Sequence, residues 1–226
     1  NVLYTGRYKL GVTTAAGGKY TINAAYDFAK EREQFSRSIT QFDMIKSKFA
    51  KMITRTWEAD TVNYMTCGSI DKSIEKLDKD SEDYYVNMMK VIEDHAIEAS
   101  ICKIIGSETL AYVVDESAQV LGGAGFIEEY GVATLYRDER INRIFEGTNE
   151  INRLLIAGIT LKKSILEELP IRDAISLRDS DWFSEIDKSD SLEQKIVEYC
   201  RSACLMTLNS MILEYGQDMK NNQWVQ

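Results

Sequence analysis

Proline occurs once in this chain, at position 170. A backbone almost free of φ-locked residues that lack an N–H can run in long, uninterrupted helices. Its apolar residues recur at helical rather than alternating spacing. Phe42, Ile45, Phe49 and Met52 step by three and four, with Ile53 and Trp57 extending the face; Ile97, Ile101, Ile104, Ala111, Val114, Ala118 and Leu121 form a second, drifting stripe. The expected fold class is all-α.

The single proline also divides the chain. Helical character runs up to about Leu169 and should stop at Pro170, so residues 1–170 are expected to form the main domain. Residues 171–226 read as a polar linker followed by the start of a helical extension. There Ser191 and Gln194 make an S-x-x-Q capping box, and Leu192, Ile196, Tyr199, Ala203, Met206 and Leu213 follow at helical spacing. Such a stripe needs a partner surface, on the main domain or on sequence beyond Gln226.

Charge and composition exclude several functions. A formal charge of -9 argues against a nucleic-acid binder, which needs basic surface to displace counterions from phosphates. No window of roughly 18 uncharged apolar residues is present to span a bilayer. The four cysteines lack C-x-x-C spacing and His95 is the only histidine, so no metal site is expected. Cys102 falls in an apolar stripe and reads as a small core residue, in keeping with a reducing, intracellular setting. The opening NVLYTGRYKLG lacks a basic region followed by an apolar block and reads as the interior of something longer.

The most informative run is residues 140–158, RINRIFEGTNEINRLLIAG. Ile144 and Phe145 bring one carboxylate, Glu146, to a glycine that permits a tight turn; Thr148 is a good N-cap for the helix that follows. A carboxylate beside apolar groups becomes a stronger base through desolvation, while the following helix N-terminus pulls the other way. On the residues alone, Glu146 caps a helix or pairs with Arg140 or Arg143.

The neighbouring motifs decide between these readings. The FEGTN run resembles the C-terminal signature of the acyl-CoA dehydrogenases. The same family order is shown by Gly6-Arg7, ERxxF at residues 31–35, QVLGGAGF at 119–126 and LYRDER at 135–140. The FEGTN spelling and the long tail after Pro170 are most similar to the very-long-chain subgroup. The resemblance implies an antiparallel four-helix bundle with an additional C-terminal helix, and N-terminal helical and β domains elsewhere in the parent protein.

It further implies an FAD-dependent enzyme that dehydrogenates fatty acyl-CoA thioesters between the α and β carbons, as in fatty acid β-oxidation. Glu146 takes the position of the proton-abstracting base, while Arg7 and Gly147 fall at the substrate. Arg32, Phe35, Gln119, Gly122, Gly123, Thr148, Asn149 and Glu150 fall at FAD, with Arg32, Gln119 and the paired glycines contributed to a neighbouring subunit's cofactor. Ser36 stands where relatives carry glycine after Phe35, and Glu150 where they often carry an amide, whose donors a carboxylate lacks.

The implied partners are an acyl-CoA substrate, an electron-transferring flavoprotein and further copies of the chain, as a dimer or tetramer. Very-long-chain relatives also suggest peripheral membrane contact through the C-terminal extension. The compartment would be cytoplasmic in a bacterium and mitochondrial in a eukaryote. The alternatives are an acyl-CoA oxidase, in which oxygen reoxidises the flavin, and a non-catalytic helical interaction module on the same scaffold.

Overall fold

The structure, a computed structural model, describes residues 2–176 and 191–216. Three long helices dominate it: α1 (Val2–Glu31), α2 (Asp43–Ile74) and α4 (Ala96–Leu121). A shorter α3 (Tyr84–Asp94) precedes α4, and α5 (Val132–Glu139) leads through 3-10 turns into α6 (Asn149–Ile165). The chain divides into two compact units, 1–156 and 157–226, with the division inside α6. The second unit contains α7 (Ile171–Ser176) and α8 (Leu192–Tyr215). The all-α, bundle-type architecture expected from the sequence is present.

Cross-helix contacts fix the directions. Asn63 of α2 meets Gly11 and Phe49 meets Tyr26 on α1, while Thr66 meets Cys102 and Lys48 pairs with Glu116 on α4, so α2 runs opposite to both. α1 and α4 therefore lie parallel, and they pack very closely. A Cβ on Gly11 would fall 2.8 Å from the main-chain carbon of Cys102, and one on Gly106 would meet Thr14 and the Gly11 carbonyl. Small residues on both faces permit this approach, which explains why glycine is tolerated in helix interiors where it otherwise costs about 1 kcal/mol.

The two ends of the bundle differ in chemistry. At one end Ile22, Ala25, Ile39, Phe49, Met52, Val113, Val120 and Leu121 form the hydrophobic core. At the other, the buried side chains include Arg7, Asn63, Thr66, Ser100, Lys103 and Ser107. Burying polar groups is costly unless they are hydrogen-bonded; at this second end most are, although Asn63 Oδ1, Asn152 Oδ1 and Glu146 Oε2 lack a partner among the described residues.

Several local readings need correction. Ile53 and Trp57 do not extend the α2 core stripe; they are 54% and 68% exposed. The inner face instead follows Phe49, Met52, Thr56, Ala59 and Asn63, whose smaller members let Gly18 of α1 sit against Thr56. His95 separates α3 from α4; its Nδ1 lies 2.8 Å from the Val91 carbonyl and its Nε2 3.0 Å from Ser69 Oγ. α6 ends at Ile165, and Pro170 stands immediately before α7.

At α8, Ser191 Oγ accepts from the Gln194 N–H at 3.2 Å, as the capping box requires. The polar stretch preceding Ser191 lies outside the described residues. Among the described residues no helix is long and apolar enough to cross a membrane, and no group of three or more His, Cys, Asp or Glu could hold a metal ion.

Between α1 and α2 the chain makes a two-residue β-ladder, pairing Glu33 with Ser38 and Gln34 with Arg37. Its loop is Phe35-Ser36, with φ values of 53° and 64°. Two consecutive left-handed residues define the type I′ hairpin turn, which favours Asn and Gly. Ser36 therefore holds a left-handed conformation that favours glycine, at a steric cost of roughly 1–2 kcal/mol. Ser36→Gly is expected to raise the denaturant midpoint of the full-length protein by an amount equivalent to about 1 kcal/mol; an unchanged or lowered midpoint contradicts this.

Candidate active site

Glu146 sits at the polar end, in a turn that joins the 3-10 segment Arg140–Arg143 to α6. Its φ is +56° and that of Gly147 is +79°. Glycine adopts such a value freely, whereas glutamate does so only under constraint. The constraint comes from donors aimed at the turn's carbonyls. Arg7 Nε donates to Glu146 O at 2.9 Å, Lys103 Nζ to Gly147 O at 3.0 Å, and Asn152 Nδ2 to Gly147 O at 2.8 Å and Thr148 O at 3.0 Å.

The carboxylate lies against the start of α1. A Cβ on Gly6 would come within 2.7 Å of Glu146 Oε1, so only glycine leaves room for it there. Glu146 is half-buried, and its Oε2 is buried without a hydrogen-bond partner. It does not pair with the nearby arginines: Arg143 pairs with Glu139, at 3.2 Å. Nor do Ile144 and Phe145 wall it in, since they are 47% and 42% exposed; Gly6 and Arg7 form that wall. The result is a carboxylate on a held backbone, with no hydrogen bond among the described residues and one oxygen buried, which suits a group that takes a proton.

The residues beside Glu146 have distinct tasks. Thr148 caps α6, its Oγ1 accepting from the Ile151 N–H at 3.3 Å. Glu150 is exposed, and hydrogen bonds from its own backbone N–H and from the Thr148 hydroxyl hold its carboxyl below the ordinary value. Asn149 is 2% exposed and its amide is taken up within the chain. Its Nδ2 donates to Ser107 Oγ at 3.0 Å and Glu108 Oε1 at 3.2 Å, and its Oδ1 accepts from Lys103 Nζ at 2.5 Å. Arg7, only 5% exposed, likewise supports the turn.

The remaining candidates gather at the opposite end of the bundle. Arg32, Phe35, Gln119, Gly122 and Gly123 line one open cleft of about 570 Å³, together with Phe42 and Leu121. Phe35 is 88% exposed, and Cβ atoms on Gly122 and Gly123 would meet nothing within 4 Å. Gly122 is required by its φ of +60° at the end of α4, whereas no contact among the described residues requires Gly123. An exposed arginine beside an aromatic ring and bare backbone suits a dinucleotide, whose diphosphate and rings need those partners. α1, with 30 residues, spans about 45 Å, so the two groups of residues are too far apart to touch the same flavin from one chain.

Two site residues were not marked by the sequence. Lys103 and Asn152 are both 0% exposed. Lysine in an apolar stripe ordinarily carries its ammonium out to water; the signal available was its position among small residues, Ser100, Gly106 and Ser107, which leave no such exit.

Comparison with known proteins accounts for this arrangement. Residues 1–160 match the family model of the acyl-CoA dehydrogenase C-terminal domain. A probable acyl-CoA dehydrogenase of Bacillus subtilis is 37% identical over 228 residues, which is 99% of this chain and 38% of that protein. The very long-chain specific acyl-CoA dehydrogenase of Rattus norvegicus is 38% identical over 157 residues, covering 70% of this chain and 21% of that one. Among solved structures, an FAD-complexed acyl-CoA dehydrogenase from Bacillus anthracis superposes with a TM-score of 0.90 at 35% identity, over 98% of this chain and 38% of that chain.

The fold and the turn thus define a helical domain of the flavin-dependent dehydrogenase type. The chain belongs to the acyl-CoA dehydrogenase family, of which it carries the C-terminal domain. It spans less than two fifths of the length of these relatives.

Burial and the Arg7 guanidinium push Lys103 down to about 8 from an ordinary 10.5, against the pull of Glu150, Glu108 and Glu146. Between those two values the unfolded chain holds more protons than the folded one, so stability rises with pH across that window; below it the cost of burying the cation is fully present. Lys103→Met is expected to flatten this rise. Urea unfolding from pH 7.5 to pH 10 measures it, and identical slopes for the two proteins contradict it.

Proposed function

We propose that the full-length protein is an FAD-dependent acyl-CoA dehydrogenase acting on fatty acyl-CoA thioesters in fatty acid β-oxidation, with Glu146 as the catalytic base. The reading is carried by one observation: the Glu146 carboxylate lies against Gly6 with a buried oxygen that no group among the described residues engages. FAD, when bound, supplies the acceptor for hydride from the β carbon. Glu146 takes the proton from the α carbon, between the thioester carbonyl and that β carbon. Gly147 lets the acyl chain approach the turn, and Arg7 holds the turn's carbonyl from beneath the substrate. The domains that complete the pocket belong to the rest of the protein, so the activity is proposed for the whole.

The cofactor residues then fall to two copies of the chain. Thr148, Asn149 and Glu150 belong to the subunit that carries the base, with Asn149 acting by holding the turn. Arg32, Phe35, Gln119, Gly122 and Gly123 serve the flavin of a neighbour, which requires at least a dimer. Electrons leave to an electron-transferring flavoprotein. The residue types favour an intracellular compartment.

Anaerobic mixing of the FAD-loaded full-length protein with acyl-CoAs of graded length tests this reading. Bleaching of the flavin absorbance is expected, and Glu146→Gln should slow it by about 10²–10⁴-fold, the usual range for a general base, at unchanged flavin content. Equal rates in the two proteins would remove Glu146 from the mechanism. Gly6→Ala should slow bleaching by about 10²-fold by displacing the carboxylate, without lowering the melting temperature, because alanine favours the helix. A rate within twofold of the parent's would contradict the geometry.

A further inference from the structure

The left-handed turn at Glu146 is a strained conformation, and its carbonyls are held from two further helices. Lys103 reaches Gly147 O from α4 at 3.0 Å, and Asn152 reaches it from the first turns of α6 at 2.8 Å, so two side chains converge on one carbonyl. Asn152 also donates to Thr148 O at 3.0 Å and lies 3.5 Å from Glu146 O. Both side chains are wholly buried. The contacts of Lys103 are a carbonyl and the amide oxygen of Asn149, not a carboxylate.

A cation in that setting is a costly choice if packing alone were needed, because a methionine would fill the same volume without desolvating a charge. What methionine lacks is a charge-assisted donor, roughly twice as strong as a neutral one. That donor is spent on the carbonyl of the peptide that joins Gly147 to Thr148. If that peptide rotates, Gly147 leaves its φ of +79°, the turn opens and the Glu146 carboxylate leaves Gly6.

We infer that Lys103 and Asn152 are positioning residues, which act on the reaction only by locking the Gly147–Thr148 peptide directly after the Glu146 turn and so aiming the Glu146 carboxylate. The inference rests on Glu146 being the base. It assigns the turn's fixity to buried groups that touch neither substrate nor flavin. Displacements of about 1 Å at a reacting group can cost 10²-fold in rate.

The test uses the FAD-loaded full-length protein, with Lys103→Met and Asn152→Ala as independent variants. Val113→Ala serves as the control, a fully buried core residue of α4 whose truncation lowers stability without touching the turn. The expected result is a kcat for flavin reduction about 10²-fold lower in each turn variant, with KM and flavin content within threefold. Val113→Ala should lower the melting temperature and keep the parental kcat.

A kcat within threefold of the parent's in either turn variant, or a loss in Val113→Ala matching theirs, overturns the inference. Should the parent itself fail to reduce its flavin with acyl-CoA, the functional reading fails, and crystal structures of the variants decide the positional claim separately. Positioning requires Glu146 to leave positive φ or its carboxylate to move by about 1 Å or more; an unchanged turn refutes it. If Lys103→Met does not fold, Asn152→Ala supplies both readouts.

Discussion

The site depends on the two peptides that follow Glu146, whose carbonyls, Glu146 O and Gly147 O, are gripped from three helices. Arg7 comes from α1, Lys103 from α4 and Asn152 from α6. A glutamate at positive φ does not persist unaided, and hydrogen bonds from charged donors contribute more than neutral ones. These donors reach the turn because α1 and α4 lie close together. Gly11 and Gly106 permit that approach, so residues with no side chain determine where two cations end.

The same packing gives the bundle its polarity. Large apolar side chains fill the end where α1 turns back into α2, and threonine, serine, asparagine and the two buried cations fill the other. The first end presents an open cleft with bare glycine backbone; the second holds the backbone turn that carries a carboxylate. α1 separates them by about its own length of 45 Å, so residues at the two ends cannot meet one flavin from a single chain. Within this geometry, Phe35 and Glu146 can belong to one kind of site without being near each other in the chain's own fold.

How much of this was legible in the sequence depends on whether a residue's role is local. The helices could be read from three-and-four spacing and the lone proline, and Glu146 from the run of residues that turns around it. The hairpin at Phe35-Ser36 was not legible, because its serine carries a conformation that composition does not announce. Trp57 was placed in the core because its spacing fits, yet α2 faces its neighbours with Thr56 and Ala59, and the indole remains 68% exposed. Lys103 and Asn152 stayed hidden for another reason. Their partners lie 44 and 5 residues away, and nothing in a lysine's neighbours along the chain states that its ammonium will meet a distant carbonyl.

The central claim is that the fold aims one carboxylate at one carbon atom. A crystal structure of the FAD-loaded full-length protein bound to a non-reducible acyl-CoA analogue measures it directly. The account predicts Glu146 at positive φ, resting on Gly6, with a carboxylate oxygen within about 3.5 Å of the α carbon, the separation of a near-attack geometry. A Glu146 in right-handed or extended conformation with its carboxylate in solvent, or a different carboxylate at that carbon, would contradict it.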